Sequence, residues 1–466
     1  MVAFWNNEAY DWKIEFTFDE KTNVLRKQSL KLKAMADNRT LQVSLGRSAD
    51  VSALVIKRGI AAAVNELKRL GAKSVLVAAS EVAQMLDGKG LFPLVVGARL
   101  ALYEPPSYKR DKDKDREGDA DVFSVYIGSE QFPEEIDALN EANILADNVL
   151  LARELVNIPP NLLTPKILAD RIAGYCDKHR IHCEVFDENF ITRQKMGAFW
   201  AVGSSSGNMP RLIVIRYMGD SDNPGEITAV IGKALTFDTG GYNLKSSAGM
   251  KDMKCDMAGG AAAFAAIAAL AQNKAKVNVI AVIAAAENRI SRESFLPGDI
   301  LRTMSGRTVE VISTDAEGRL CMSDAMTYAI QNEKATRLID IATLTGAAVQ
   351  ALGRKTAATM TNDYGFYSDF IRAAEVSGEQ YWLMPSHDEY YLMIEGQIAD
   401  IKNAPEDGCG IMAAGLFMEH FSEGLPWIHI DIAGTAFSSK QGYEFQKPGA
   451  TGAGVETLYA MFAKRG

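Results

Sequence analysis

A chain of 466 residues with 47% hydrophobic and 23% charged residues has the balance of a folded globular protein and exceeds one ordinary core, so disorder is excluded and two domains are expected. The formal charge of -9 sets the molecule against polyanions, since repulsion from phosphates must be overcome by a local basic patch, and nucleic acid is a poor expectation. No basic start leads into a long apolar core, and no run of about 18 uninterrupted apolar residues occurs, so the chain reads as cytoplasmic without a membrane partner.

In chain order, strand-like runs at 41–45, 74–79 and 122–127 alternate with a helical stretch at 59–70, which predicts a small N-terminal α/β domain over residues 1–132. The charged run 109–117 mixes both signs and reads as a solvated loop. A long helix rich in Ala, Leu and Glu is predicted from 133 to 157, stopped by Pro159-Pro160, so residues 133–158 form a linker helix. Beyond it the apolar runs 212–215, 227–231, 277–284, 309–312, 338–342 and 428–432 lose their alternation, as strands buried on both faces do. Helical patterns at 258–272 and 320–331 lie between them. The expected class is α/β with two domains: the small N-terminal one, and a larger catalytic domain over 159–466 with a mostly parallel central sheet flanked by helices.

The five cysteines contain no C-x-x-C pair and the five histidines no H-E-x-x-H pair, so a bound metal must be held mainly by oxygen or by something less usual. Four carboxylates stand at ends of predicted elements: Asp238 before Gly240-Gly241, Asp256 before the helix at 258, and Asp315 with Glu317 after the strand at 309–312. If these segments converge at one sheet edge, the like charges raise one another's pKa values unless cations neutralise them, and a pair of divalent ions is a recurring hydrolytic device. Lys233, Lys245 and Arg319 lie beside the acids in sequence, and their positive charge favours an oxyanion in a transition state. Hydrolysis of a carbonyl or a phosphoryl group is implied, and spacing leaves both open.

Taken singly, each residue has a plainer explanation. Asp238 and Asp315 fit tight turns, Asp256 fits a helix cap, and Lys233 and Lys245 fit lysines reaching solvent. Their joint occurrence weighs against that. The segments Ile231-Gly232-Lys233-Ala234-Leu235-Thr236-Phe237-Asp238-Thr239-Gly240-Gly241, Met253-Lys254-Cys255-Asp256-Met257 and Thr314-Asp315-Ala316-Glu317-Gly318-Arg319-Leu320 resemble the leucine aminopeptidase (cytosol aminopeptidase) family at its functional positions. The likeness continues through Glu287-Asn288, Thr343-Leu344-Thr345-Gly346 and His429-Ile430-Asp431, and covers roughly residues 150 to 460.

That resemblance implies a two-metal aminopeptidase acting on peptides, with leucine or another apolar first residue preferred. It implies Lys233, Asp238, Asp256 and Glu317 as ligands of a tighter metal and Asp238, Asp315 and Glu317 as ligands of an exchangeable one. Zn²⁺ is the leading ion, with Mn²⁺, Co²⁺ or Mg²⁺ acceptable at the exchangeable site. Lys245 is implied to polarise the scissile carbonyl, and Arg319 to hold a bicarbonate acting as general base. Met253, Thr343 and Gly346 are implied to line the pocket for the first side chain. The resemblance also implies a homohexamer, and some bacterial members bind DNA, which the net charge here disfavours. Ala234 replaces the usual Gly after the metal-binding lysine, Ser313 the usual Asn before Thr-Asp-Ala-Glu, and Glu456 a commonly basic residue. His429 and Asp431 read as packing or hydrogen-bonding residues.

Overall fold

A computed structural model describes residues 2–5, 9–19, 30–110, 123–128 and 136–463. Part of the charged run, residues 111–117, and the first three residues of the predicted linker helix lie outside the described residues. The chain divides into two compact units: residues 1–150 with 375–378 and 439–449, and residues 151–374 with 379–438 and 450–466.

In the first unit the strands β1 (Val2–Phe4), β2 (Trp12–Thr17), β3 (Lys31–Met35), β4 (Thr40–Ser44), β5 (Ser74–Ala78) and β6 (Ser124–Gly128) form one sheet in the order β1-β6-β5-β2-β4-β3. All pairs are parallel except β3 with β4. The helix Ala53–Arg69 starts where Ser52 accepts a hydrogen bond from Val55 N, and it buries Ile56, Ile60, Val64 and Leu67, spaced three or four apart as one helix face requires. Arg58 ties it to Glu444 of the late segment through two bonds of 2.8 and 2.9 Å. The helix Ile136–Asn157 then carries the chain into the second unit.

The second unit is built on an eight-stranded sheet of β7 (His182–Phe186), β8 (Arg211–Met218), β9 (Thr228–Asp238), β10 (Asn278–Asn288), β13 (Arg337–Ala342), β14 (Thr356–Thr361), β15 (Gln380–Leu383) and β17 (Trp427–Asp431). Its order is β15-β14-β17-β13-β9-β10-β8-β7, with the four central strands β17, β13, β9 and β10 parallel and antiparallel pairing on either side. Eleven-residue β9 and β10 are buried almost throughout, which explains their high content of Ala, Val and Ile, broken in β9 by Lys233. The expected α/β architecture is present, with a correction at 309–312. That run yields β12 (Thr308–Glu310), which lies between β11 (Ile300–Arg302) and β16 (Ile401–Lys402) in a separate three-stranded sheet. Only Val309 of β12 is fully buried, so the strand has one covered face and does not belong in the central sheet.

The helix Ala258–Gln272 meets the sheet at backbone distance. A Cβ on Gly259 would stand 2.0 Å from Ile341 O, and one on Gly232 would stand 2.6 Å from Gly260 Cα. The stretch Met253–Gln272, which by length and composition passes for a membrane span, has 89% of its apolar window buried in the protein, as a core helix does. Because the central strands are parallel and in register, Asp238, Asn288, Thr343 and Asp431 arrive together at or just beyond their carboxyl ends, the edge where open α/β sheets place ligands. Gly259→Ala should therefore lower stability by at least about 1–3 kcal/mol through overpacking, read as a reduced denaturation midpoint; an unchanged midpoint would contradict the close helix–sheet contact.

Candidate metal centre

Asp238 ends β9, and its position is fixed by donors from two directions: Gly240 N and Asn288 Nδ2 both reach Oδ1 at 2.8 Å. The chain then reverses through Gly240 (φ 85°) and Gly241 (φ 60°), a left-handed pair that favours glycine. This brings Lys245 back over the strand end, where its Nζ lies 2.8 Å from Asp238 Oδ2 and 2.5 Å from Asp315 Oδ1. The reversing loop is joined to the loop carrying Asp315 through Thr314 and Asn243: Thr314 N donates to Asn243 Oδ1 at 2.8 Å, and Asn243 N to Thr314 Oγ1 at 2.9 Å.

Lys233 lies deeper in the same strand, 3% exposed. Its Nζ stands 2.8 Å from Asp256 Oδ2 and 2.9 Å from Glu317 Oε1, and donates to Thr343 O at 3.1 Å. Asp256 comes from the short 3-10 helix Met253–Met257, and Glu317 is the first residue of the helix Glu317–Gln331, where the peptide dipoles favour an acid. A Cβ on Gly318 would stand 2.3 Å from Lys233 Cε, so the lysine passes through space that only glycine leaves open. Thr343 supports both partners, its carbonyl accepting from Lys233 and its hydroxyl donating to Asp256 at 2.7 Å.

Four buried or half-buried carboxylates thus face two ammonium groups, and the balance is negative. Burial, together with the charges of Asp238 and Glu317, pushes Asp256 up to about 8 against the pull of Lys233. The same causes push Asp315 up to about 7 against Lys245, and Glu317 is raised by burial and by Asp238. Burial would push the Lys233 ammonium down, but Asp256, Glu317 and Asp238 together hold it well above its ordinary range. Glu317 Oε1 faces only the Lys233 ammonium and Oε2 is buried without a partner among the described residues, and one oxygen each from Asp238, Asp315 and Glu317 lies within 4.8 Å of the others. Buried acceptors left this way fit cation binding, and an oxygen-rich set suits a hard or borderline divalent ion.

Arg319, in the first turn of the same helix, is buried, and burial draws its guanidinium down to about 10 against Glu317, Asp431 and Asp315. Its Nη1 donates to Asn403 O at 2.7 Å while Nε has no partner among the described residues, a donor set that fits a small anion. Met253 is half-buried in the 3-10 helix, whereas Gly346 is exposed at the start of the helix Gly346–Leu352. Of the residues singled out in the sequence, Lys233, Lys245, Asp238, Asp256, Asp315, Glu317 and Thr343 are linked by the contacts above. Sequence reasoning assigned no role to Asn288, Thr314, Gly318 or Asn403, whose polar or steric contacts hold that set. Asp431 also supports it, accepting from Leu344 N, Thr345 Oγ1 and Ala433 N at 3.1, 2.7 and 3.0 Å. His429 pairs with Asp340 at 2.6 Å inside the sheet.

Residues 150–459 match the catalytic domain of the cytosol aminopeptidase family. A probable cytosol aminopeptidase of Clostridium perfringens is 44% identical over 428 residues, covering 91% of this chain and 86% of its own length. One from Alkaliphilus oremlandii is 40% identical, covering 90% and 84%. The chain belongs to the cytosol aminopeptidase family. Among solved structures, the bottromycin maturation enzyme BotP in complex with Mn superposes with a TM-score of 0.86 at 28% identity, covering 98% of this chain and 99% of its own. A tomato leucine aminopeptidase mutant gives 0.82 at 31% identity, covering 93% and 83%. Membership makes the protein a hydrolase acting on N-terminal peptide bonds. A first test of the centre is steric: Gly318→Ala should displace Lys233 and cost about 10–100-fold in activity or metal affinity while the protein stays folded, measured by kinetics beside circular dichroism; full activity would mean Lys233 lies elsewhere.

Proposed function

We propose that this aminopeptidase works through two divalent cations held by Lys233, Asp238, Asp256, Asp315 and Glu317, and that it prefers leucine or other apolar first residues. The observation that carries the reading is Lys233 Nζ set between Asp256 and Glu317 in a buried cluster where Glu317 Oε2 has no donor among the described residues. The tighter ion would take Lys233, Asp238, Asp256 and Glu317, and the exchangeable one Asp238, Asp315 and Glu317, with Zn²⁺ favoured and Mn²⁺, Co²⁺ or Mg²⁺ acceptable at the second. When bound, such ions supply Lewis-acid polarisation and an activated water at neutral pH.

The remaining roles fall to side chains. Lys245, partly buried beside Asp238 and Asp315, would donate its ammonium hydrogens to the oxygen of a scissile carbonyl as negative charge grows there. Arg319, with its unpaired Nε, would hold bicarbonate as the proton acceptor. The Thr343 hydroxyl gives its proton to Asp256, so among the proposed pocket residues Met253, Thr343 and Gly346 no side chain is left with a free donor to reward a polar first side chain. That supports an apolar preference. We also assign catalysis to residues 159–466 and the connection between the domains to residues 133–158, of which Ile136–Asn157 is the described helix.

The deciding experiment compares leucine amide with its N-acetyl derivative. The free amine should be hydrolysed and the acetylated form left intact, with activity lost on chelation and restored by added Zn²⁺ or Mn²⁺; equal hydrolysis of both substrates would exclude an aminopeptidase. A second expectation concerns protons. In chelated protein Asp256 and Asp315 stay partly protonated to about 8 and about 7, and Lys233 is an ammonium. Ligation needs the deprotonated forms, so metal uptake should release protons and tighten as pH rises through that range. Because these acids bind protons more firmly folded than unfolded, the chelated protein should lose stability as pH climbs from about 4 towards 8. Calorimetric titration in buffers of different ionisation enthalpy, showing no proton release, would contradict the lysine ligand.

A further inference from the structure

We infer that Asn403 is a positioning residue for the arm that carries Asp315, Glu317 and Arg319. This rests on the metal-centre reading given above. The residue is fully buried and follows β16 directly. β16 pairs in parallel with β12 as far as Glu310 opposite Lys402, and there the strand ladder stops. The backbone of Asn403 makes one more step, donating to Glu310 O at 3.0 Å.

Its side-chain amide then takes over the work of a strand. Oδ1 accepts from Ile312 N at 2.8 Å and from Ser313 N at 3.2 Å. Nδ2 donates to Ser313 O at 2.6 Å and to Ala316 O at 3.4 Å. The Asn403 carbonyl receives Arg319 Nη1 at 2.7 Å. All these partners fall between residues 310 and 319, the segment that delivers Asp315 and Glu317. A buried asparagine must satisfy its amide somewhere; here both ends are spent on a single irregular loop, which has no regular ladder of its own. Since an amide is donor and acceptor at once, it matches a peptide edge that neither a carboxylate nor an alkyl group can match. The loop is thereby fixed at Ser313 and at Ala316, the two residues that bracket Thr314 and Asp315 and precede Glu317.

The test uses Asn403→Asp and Asn403→Ala in the full chain, with Asp324→Asn as a stability control. Asn403→Asp keeps size and shape but turns the Nδ2 donor into an oxygen facing Ser313 O and Ala316 O. Asp324 is buried in the same helix as Glu317 and accepts from Phe199 N and Met304 N, away from the centre. Mn²⁺ affinity is measured on chelated, folded protein, beside kcat and KM for leucine amide and the thermal midpoint. Both Asn403 variants should lose about 10–100-fold in Mn²⁺ affinity or kcat with KM changed less than about threefold, while Asp324→Asn lowers the midpoint and leaves Mn²⁺ affinity per folded molecule intact. Variants that keep Mn²⁺ affinity and kcat within about twofold of the parent, or a control that loses as much as they do, would overturn the inference. If the parent binds Mn²⁺ but cleaves no amide, the aminopeptidase mechanism fails while the affinity comparison still decides the role of Asn403. A parent that binds no Mn²⁺ overturns both.

Discussion

The constraint on which the second unit depends is the burial of like charges. Asp238, Asp256 and Glu317 are each nearly inaccessible and come from three different parts of the chain, and Asp315 joins them from the half-exposed rim. Such a group cannot stay ionised in a low-dielectric interior without compensation, and the two lysines supply only part of it. Lys233 does so from within, where its own burial is also unfavourable, so each member is tolerable only while the others hold their places. This explains why a glycine is needed at position 318: an added methyl removes the space for the lysine chain, and with it the charge that Asp256 and Glu317 face.

Holding the set in register falls to neutral groups and short loops. Asp238 is fixed by Asn288 and the Gly240 amide, Asp256 by the Thr343 hydroxyl, and the Asp315 loop by Asn243 and Asn403. Asp431 in turn holds the loop that presents Thr343, since it accepts from Leu344 and Thr345. The parallel core makes this possible by bringing four strand ends to one edge, where loops of different length can converge without crossing. Rigidity at the centre thus comes from hydrogen bonds that originate up to 110 residues away in sequence, for Lys233 and Thr343.

Much of this was legible in the chain. The apolar-rich runs announce β9, β10, β13 and β17, because strands covered on both faces spare few polar positions. The acids and lysines are legible as well, since charged residues at the ends of such runs require an explanation. The strand near 309 was misplaced because Val309, Val311 and Ile312 look like a buried run, while the fold gives Thr308 and Glu310 a partly open face. Strands β14 and β15 went unseen; Thr356–Thr361 is mostly threonine and alanine, with little of the bulk that marks a core strand. Asn403 and Thr314 were invisible for another reason. An asparagine or threonine in sequence resembles any turn residue, and its role exists only once the tertiary fold presents the unpaired backbone it satisfies.

The departures from the family pattern now have a physical reading at two positions. Ala234 is fully buried in β9, and a Cβ on the facing Gly260 would come within 2.8 Å of its methyl, so the extra carbon occupies a helix–sheet contact and not the ligand cluster. Ser313 accepts from Asp315 N through its hydroxyl at 3.2 Å. That side-chain-to-backbone bond spans two residues, and asparagine makes the same bond in an Asx turn, so the substitution keeps the local turn while shortening the side chain. What steadies Ser313 from the other side is its backbone, gripped by the Asn403 amide at both N–H and C=O. A loop held through main-chain atoms can exchange one turn-forming side chain for another without moving the carboxylate two residues on. Serine at 313 thus suits a loop that Asn403 already holds by its main chain.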